Sequence, residues 1–379
     1  MRRNKIFLFG YHGRRNIGDD VVCVSLVKTL EKLFKFRALL YVYTNEKYII
    51  KNFVRENGSD IYFTSSFASN LKALMGSQTV IIGGGDYLDD YGHFLKRLQI
   101  FAQLFAFGIL TKISAKKFLI INGGFRARTR IGLVFIKIIL GFTYCVSTKD
   151  GDSLSLLLKY VNKRPEKGFD TAVLLDYSHS CQRRAETEIK NIGLSITPVF
   201  SNFFLKPYKD EALAKAIART VENLVHNMKN VNFCFLALNT DVRVGDLKLI
   251  RKIMLMLDEE ALRRVKLVAY NGNISDFISK CSQLDAIVCC KLHSIIFSYM
   301  LQKPMIVINY HPKNAGLARE IGLSSHCLVS LEDVFTGKLG SMISALVNTP
   351  EEFRDRLPIS EARERAFNGV QKCMDCVMW

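Results

Sequence analysis

Asp285-Ala286-Ile287-Val288-Cys289-Cys290, closed at once by Lys291-Leu292-His293 and then by the helix-period stretch Ser294–Leu301, sets the reading of this 379-residue chain. A short apolar run that breaks into polar residues and then a helical pattern is a buried parallel strand handing over to a helix. The same unit recurs at Pro304 to Asn309, followed by Tyr310-His311-Pro312-Lys313. Corners at the carboxyl ends of parallel strands are where open α/β sheets bind ligands. Lys291, His293 and Lys313 at two such corners suit a small polyanion whose reaction also needs a proton donor, and so an enzyme handling a phosphorylated, acidic substrate.

Working outward, the pattern repeats. In the second half, strands are expected at Ile192–Ile196, Asn232–Ala237, Val265–Ala269, Ala286–Cys290, Met305–Ile308 and Cys327–Val329. Helices Glu211–Met228, Asp246–Leu257, Ile274–Cys281, Ser294–Leu301 and Ala315–Ile321 fall between them. The first half alternates strands Lys5–Phe9, Ala38–Tyr43, Thr79–Ile82, Lys117–Ile121 and Tyr144–Val146 with helices Asp20–Leu33, Leu95–Leu110, Ile131–Leu140 and Gly151–Tyr160. Alternation of this kind argues for βαβ units and parallel sheets. The expected fold is α/β, two doubly wound domains facing a cleft. The domains are 1–176 and 191–350, joined by a polar linker at 177–190, with residues 351–379 as a helical tail. A chain of this length exceeds what one core supports.

Composition narrows the partners. The net charge is +18, with 49% hydrophobic residues and only seven Pro, so the chain is globular and drawn to anions. The ten Cys residues are scattered, several of them in apolar runs (Cys145, Cys234, Cys289, Cys290), which reads as small buried hydrophobes in a reducing compartment. Cys373 and Cys376 form a lone C-x-x-C without the partner pair that zinc needs. No apolar run reaches the ~18 residues that span a bilayer, and Ile6–Phe9 is too short for a signal-peptide core, so a cytoplasmic protein is expected. Between Asp90 and Asp150 no acidic residue occurs. Lys96, Arg97, Lys112, Lys137 and others lie there among Phe94, Phe101, Phe105, Phe107, Ile136 and Ile138, which fits peripheral contact with an anionic membrane at the inner face of the plasma membrane. Ordinary core helices with solvated basic rims give the same composition. An aromatic RNA-type sheet motif is absent, and no nucleic-acid partner is expected.

Three glycine corners lie on the first sheet's edge: Gly10-Tyr11-His12-Gly13-Arg14-Arg15-Asn16-Ile17-Gly18-Asp19-Asp20, then Gly83-Gly84-Gly85-Asp86, then Asn122-Gly123-Gly124. None has dinucleotide or P-loop spacing. They suit the floor of a bulky polar ligand, with Asp19 and Asp20 able to accept hydrogen bonds from sugar hydroxyls or to cap a helix.

These segments, with V-S-T-K-D-G-D-S-L at 146–154, G-L-S-I at 193–196, K-L-H-S-I-I-F-S-Y at 291–299 and K-P-M-I-V-I-N-Y-H-P-K at 303–313, together resemble the polysaccharide pyruvyl transferase family. The resemblance implies two Rossmann-like domains in a glycosyltransferase-B-type arrangement. It implies transfer of a carboxyethylidene group from phosphoenolpyruvate to two hydroxyls of a lipid-linked or polymeric glycan as a ketal, with phosphate released and no metal or other cofactor. It assigns His293 as catalytic acid and Lys149, Lys291, Leu292 and Lys313 to the donor. Tyr11, Asn16, Gly18, Asp20, Gly84, Gly85 and Asp86 face the acceptor, with Asp19 orienting or helping to deprotonate its hydroxyls. Lys149 and Lys291 stand where the family usually has arginine, exchanging a two-pronged fork for a point charge. The alternatives are a nucleotide-sugar glycosyltransferase, which needs an acid in the C-terminal domain to hold a ribose, and a catalytically degenerate family member.

Overall fold

A computed structural model of the chain describes residues 4–35, 38–46, 60–91, 94–161, 165–177 and 188–378, of which 94–96 and 378 are described by backbone alone. Most of the expected linker, 178–187, lies outside the described residues. Contacts divide the chain into two compact units, one of Met1–Arg14, Gly18–Leu175 and Ser360–Trp379, the other of Arg15–Ile17 and Asp176–Ile359.

The first unit runs β1 (Lys5–Phe9), α1 (Ile17–Leu33, its first residue counted with the other unit), β2 (Leu39–Tyr43), β3 (Asp60–Thr64), α2 (Phe67–Gly76), β4 (Thr79–Gly83), β5 (Leu88–Asp89), α3 (Phe94–Ile113), β6 (Lys117–Gly123), β7 (Phe125–Arg126), α4 (Arg130–Phe142), β8 (Cys145–Thr148), α5 (Gly151–Tyr160) and β9 (Glu166–Lys167). Its main sheet is parallel throughout in the order β3-β2-β1-β4-β6-β8-β9. The central strands read as unbroken apolar runs because helices cover both faces; every residue of Thr79–Gly83 is buried.

The second unit runs β10 (Asn191–Ser195), a π-helical turn at Phe200–Phe204, α6 (Tyr208–Asn227), β11 (Asn232–Ala237), α7 (Leu247–Met254), α8 (Glu259–Arg263), β12 (Val265–Ala269), α9 (Ile274–Ser282), β13 (Ala286–Cys289), α10 (Leu292–Met300), β14 (Met305–Asn309), α11 (Pro312–Glu320), β15 (Leu328–Ser330), α12 (Leu331–Phe335) and α13 (Lys338–Asn348). Its sheet is also all parallel, in the order β12-β11-β10-β13-β14-β15. Each sheet starts at a central strand, winds one way, then returns to wind the other. The order reverses at the β1/β4 pair and at the β10/β13 pair, the switch points where doubly wound sheets open a ligand crevice. The fold is α/β, two Rossmann-like doubly wound units.

Besides the two-residue strands β5, β7 and β9, two longer elements in the first half escape the sequence reading. β3 is an edge strand whose residues run from exposed to half-buried before Thr64, so it lacks a continuous apolar signature. α2 is a ten-residue helix held by a capping box in which Ser66 and Ser69 serve each other's backbone N–H, without the Glu or Gln that usually announces one. In the segment expected as a helical tail, α14 (Ile359–Met378) counts with the first unit from Ser360 on. Its Ala362, Ala366, Val370, Cys373 and Met374 are fully buried, a stripe at helical spacing that needs a surface to cover it. Asn122 Nδ2 donates to the Ala366 carbonyl at 2.9 Å, and the Arg363 guanidinium donates to the carbonyls of Val173 (3.0 Å) and Leu175 (3.3 Å). Among the described residues no helix is long and apolar enough to cross a membrane.

Candidate functional site

In the second unit, β10 and β13 end side by side, Ser195 opposite Cys289, and the Cys290 N–H donates to the Ser195 carbonyl at 3.0 Å. Lys291 then turns extended and opens α10 without a side-chain cap, so the first N–H groups of that helix have only external partners available. Leu292 is buried; what it offers a ligand is its backbone N–H. His293 follows, half-buried, its ring 6.4 Å from that of Phe297. One strand over, His311 caps α11, its Nδ1 accepting the Lys313 N–H at 3.2 Å. Asn314 ties the two corners together, its Nδ2 donating to the carbonyls of Cys290 (2.8 Å) and Ile308 (3.0 Å).

The cations of this corner stand in different settings. Lys291 Nζ straddles the Asp246 carboxylate at 2.7 and 2.8 Å; Asp246 is fully buried and also accepts the Asn239 N–H at 2.9 Å. Its local charge is therefore matched. Lys313 lies half-buried with its ammonium 5.7 Å from the Phe203 ring centroid, a cation–π contact supplied by the π-helical turn after β10. Burial pushes the Cys290 thiol up to about 12, Asp246 adds to the rise, and Lys291 and Lys313 both oppose it. At this corner, Ser195 Oγ, Thr197 Oγ1, Asn309 Oδ1 and Asn314 Oδ1 are buried polar atoms without a hydrogen-bond partner among the described residues. Buried polar groups in folded proteins are as a rule satisfied, so such a cluster suits a polar ligand.

In the first unit, the corner after β1 carries Tyr11 stacked on Tyr87, ring centroids 5.0 Å apart and 13° from parallel. The Tyr11 N–H donates to Tyr87 Oη at 2.9 Å, and the Arg14 guanidinium sits 4.7 Å from the Tyr11 ring centroid. Burial raises the Tyr11 phenol to about 12, with nearby Asp19 adding to the rise, so it remains an O–H donor at neutral pH. Asp19 is half-exposed in the first turn of α1. Asp20 is fully buried and accepts the Gly13 N–H at 2.7 Å; its carboxylate holds the loop and is not presented to an acceptor. Gly18 is buried beside it. Asn16, counted with the second unit, forms an isolated antiparallel bridge with Asn239.

His12 is fully buried at the same corner, its Nδ1 3.1 Å from the Tyr43 carbonyl, and burial depresses its pKa to about 4. Its unfolded value is ~6.5, so below that pH the unfolded chain takes up a proton that the folded chain refuses. Stability is present in full above about pH 6.5 and falls as the pH drops toward 4, by about 3 kcal/mol at ~1.4 kcal/mol per unit. His12→Gln is expected to flatten that part of a denaturant-unfolding pH profile; an unchanged slope refutes the assignment.

The corners after β4, β6 and β8 share one charge network. Arg126 forks to Asp86 (2.9 Å) and Asp150 (2.6 Å), and Lys149 reaches Asp86 at 3.0 Å and Asp170 at 3.6 Å. Burial pulls the Lys149 pKa down, but Asp86 and Asp170 outweigh it and hold the ammonium above its ordinary value. Lys149 is thus a buried cation matched by carboxylates inside the first unit. Asp86 keeps partial exposure, 13% of its side chain. Gly84 and Gly85 turn the chain at φ +60° and +85°, a conformation costly for other residues. Gly124 admits the network: a Cβ there would stand 2.0 Å from Asp86 Oδ1 and 2.9 Å from Lys149 Cε. Gly124→Ala must displace Asp86, and we expect a loss of about 1–3 kcal/mol in thermal or denaturant unfolding, in the range of overpacked sites.

The sequence reading thus finds both sets of corners, with Lys291, His293 and Lys313 in the second unit and Lys149, Tyr11, Asp19 and Asp86 in the first. It misses their counter-charges. Asp246 reads only as a helix start, Asp150 is the N-cap of α5, and Asp170 caps the 3₁₀ turn Thr171–Leu174.

A profile of polysaccharide pyruvyl transferases matches residues 16–312, more than three-quarters of the chain. The chain belongs to the polysaccharide pyruvyl transferase family. Membership makes it a transferase with a glycan acceptor. The match takes in Asp19, Asp86, Lys149, Lys291 and His293 and stops one residue short of Lys313. No curated protein sequence matches the chain significantly. Solved structures share the fold at low identity. MnaA of S. aureus, solved with UDP, is 12% identical over 100% of this chain and 98% of its own, at a TM-score of 0.65. The UDP-GlcNAc 2-epimerase of Methanocaldococcus jannaschii is 10% identical over 99% of this chain and 100% of its own, at 0.64. That of Neisseria meningitidis, bound to UDP-GlcNAc, is 10% identical over 100% of each chain, at 0.62. At these identities the likeness concerns the fold alone, that of glycosyltransferase-B-type enzymes.

Proposed function

We propose that the protein transfers a pyruvyl group from phosphoenolpyruvate to two hydroxyls of a glycan sugar, forming a ketal and releasing phosphate. The observation that carries this reading is the β10/β13/β14 corner. There, two helix N-termini, Lys291, Lys313 and four buried polar atoms without a hydrogen-bond partner among the described residues surround the place where His293 emerges. Phosphoenolpyruvate carries about three negative charges near neutral pH, since the second phosphate pKa is ~6. Lys313, the open N–H groups at the start of α10 and the positive end of the α11 dipole meet that charge. Lys291, already matched by Asp246, adds hydrogen-bond donors and position more than net charge. The donor's carboxylate and phosphate are then held chiefly by backbone N–H groups.

His293 supplies the proton. Protonating the methylene carbon makes C2 electrophilic, and the first sugar hydroxyl adds there, giving a carbon that bears a methyl, the carboxylate, the sugar oxygen and phosphate. Breaking the C2–O bond to phosphate and adding the second hydroxyl completes the ketal; the hydroxyl protons leave to a base. An imidazole titrates close to neutral pH and can cycle as acid and base. In the first unit, the Tyr11 hydroxyl is a donor and the partly exposed Asp86 carboxylate an acceptor, both suited to sugar hydroxyls.

Two of the fold neighbours were solved with UDP or a UDP-sugar, and a nucleotide-sugar reading asks for an acid to hold a ribose. Asp246 is the acid at this corner, but it is buried and covered by Lys291, which argues against that reading. Incubation with phosphoenolpyruvate and, separately, with nucleotide sugars separates the two. We expect phosphate from the first and no nucleoside diphosphate from the second; the reverse pattern refutes the proposal.

A further inference from the structure

α3 and α4 pack on each other in the first unit, with Phe101 stacked on Phe135 at 4.5 Å and Phe105 edge-on to Phe142 at 5.6 Å. Their inner faces, including Phe101, Leu104, Ile136 and Ile139, are buried in the core. Their outer faces are not polar. α3 shows Leu98, Phe105 and Ile113 to solvent, and α4 shows Ile131, Val134 and Ile138. The exposures reach 79% at Ile113, 56% at Ile131 and 53% at Val134. Spacings of seven and eight residues on α3, and of three and four on α4, keep each set on one stripe. The stripes flank the same helix–helix contact, since Phe105 is both exposed and seated against Phe142.

The rim of this surface selects the occupant. Residues 91–149 contain no carboxylate, and Lys112, Arg128, Arg130 and Lys137 are exposed around the stripes. Asp90, at the edge, is tied to the start of α4, accepting the N–H groups of Arg128 and Thr129. Lysine heads lie against aromatic rings at the margin: Lys112 is 5.9 Å from the Phe142 centroid, Lys137 5.9 Å from Tyr160 and Lys117 5.0 Å from Tyr144. An apolar stripe bordered by cations and tyrosines matches the depth profile of a bilayer whose headgroups are anionic. An acidic protein partner would match the rim but not the breadth of aliphatic surface. A second copy would bring the same unopposed positive charge against itself.

We propose that the α3–α4 face docks the protein on an anionic phospholipid bilayer, with the helices lying in the headgroup–acyl boundary. This surface is independent of the catalytic reading, and its failure would leave that reading standing. The full chain is sedimented with vesicles of phosphatidylcholine alone and of phosphatidylcholine with phosphatidylglycerol. We expect it in the pellet with the anionic vesicles and in the supernatant with the neutral ones. Replacing Ile113, Ile131 and Val134 together by Ser should lower partitioning at least tenfold. Lys112→Gln with Lys137→Gln should lower it roughly 30-fold, taking ~1 kcal/mol for each lysine near an anionic surface and ~1.4 kcal/mol per decade. The charge variant touches no apolar contact of the core, so it decides the matter if the triple variant fails to fold. Wild type left in solution with anionic vesicles overturns the proposal, and so does equal binding to both vesicle types or partitioning unchanged in the charge variant. A wild-type dimer that the triple variant dissociates, without vesicle binding, assigns the face to a second copy and also overturns it.

Discussion

His293→Ala removes turnover while leaving the fold intact. A positioned general acid contributes ~10²–10⁴-fold, and the loss is expected in that range or beyond it, since among the described residues no other imidazole at the His293 corner is in a position to replace it. His311 is the neighbour to consider, but its Nδ1 is engaged with the Lys313 N–H as the cap of α11. The ring of His293 is half-buried at the start of α10, tilted against Phe297, so truncation opens little cavity. The expected signature is a fall in kcat with little change in thermal unfolding. Turnover within a factor of a few of wild type removes the proposed acid.

Asp246→Ala has the largest expected effect on stability. The carboxylate is fully buried, holds Lys291 Nζ at 2.7 Å and accepts the Asn239 N–H. Stripping one partner from a buried ion pair typically costs about 3–5 kcal/mol, because the charge left behind is uncompensated. The exposure of the Lys291 side chain, 17%, allows some solvent rescue, which places the expectation at the lower end of that range. Replacing the pair with Asp246→Leu and Lys291→Met should recover much of that stability, since well-packed apolar substitutes often equal a buried pair. Donor binding should not recover with it. A denaturant-unfolding series over wild type, single and double variants reads the first effect. A phosphoenolpyruvate titration reads the second. An Asp246→Ala variant as stable as wild type contradicts the account of Lys291 as a matched, positioning cation.

The reach of the sequence follows from what each signal depends on. Strands such as Lys5–Phe9 and Met305–Asn309 are buried on both faces, so their composition betrays them. The corners are equally legible, because a polar break after an apolar run marks the place where a strand meets a helix. β3 was hidden because an edge strand needs no continuous apolar pattern. The stripe on α14 went unread in a segment taken as a helical tail, because the surface it covers depends on Asn122 and on the carbonyls of Val173 and Leu175, far away in the chain. The same holds for charge. Lys149 and Lys291 read as free cations in a linear sequence, and only the folded chain brings Asp170 and Asp246 to them. Two of the three lysines assigned to the donor, Lys149 and Lys291, are thus matched by carboxylates inside their own units.

The measurement that bears most directly on the central reading is product analysis with a lipid-linked glycan acceptor and phosphoenolpyruvate, run with wild type and with His293→Ala. The account predicts one carboxyethylidene group gained per acceptor sugar, with phosphate released in equal amount, by wild type alone. An acceptor recovered unchanged while phosphoenolpyruvate stays intact, or the same ketal formed by the His293→Ala variant, contradicts it.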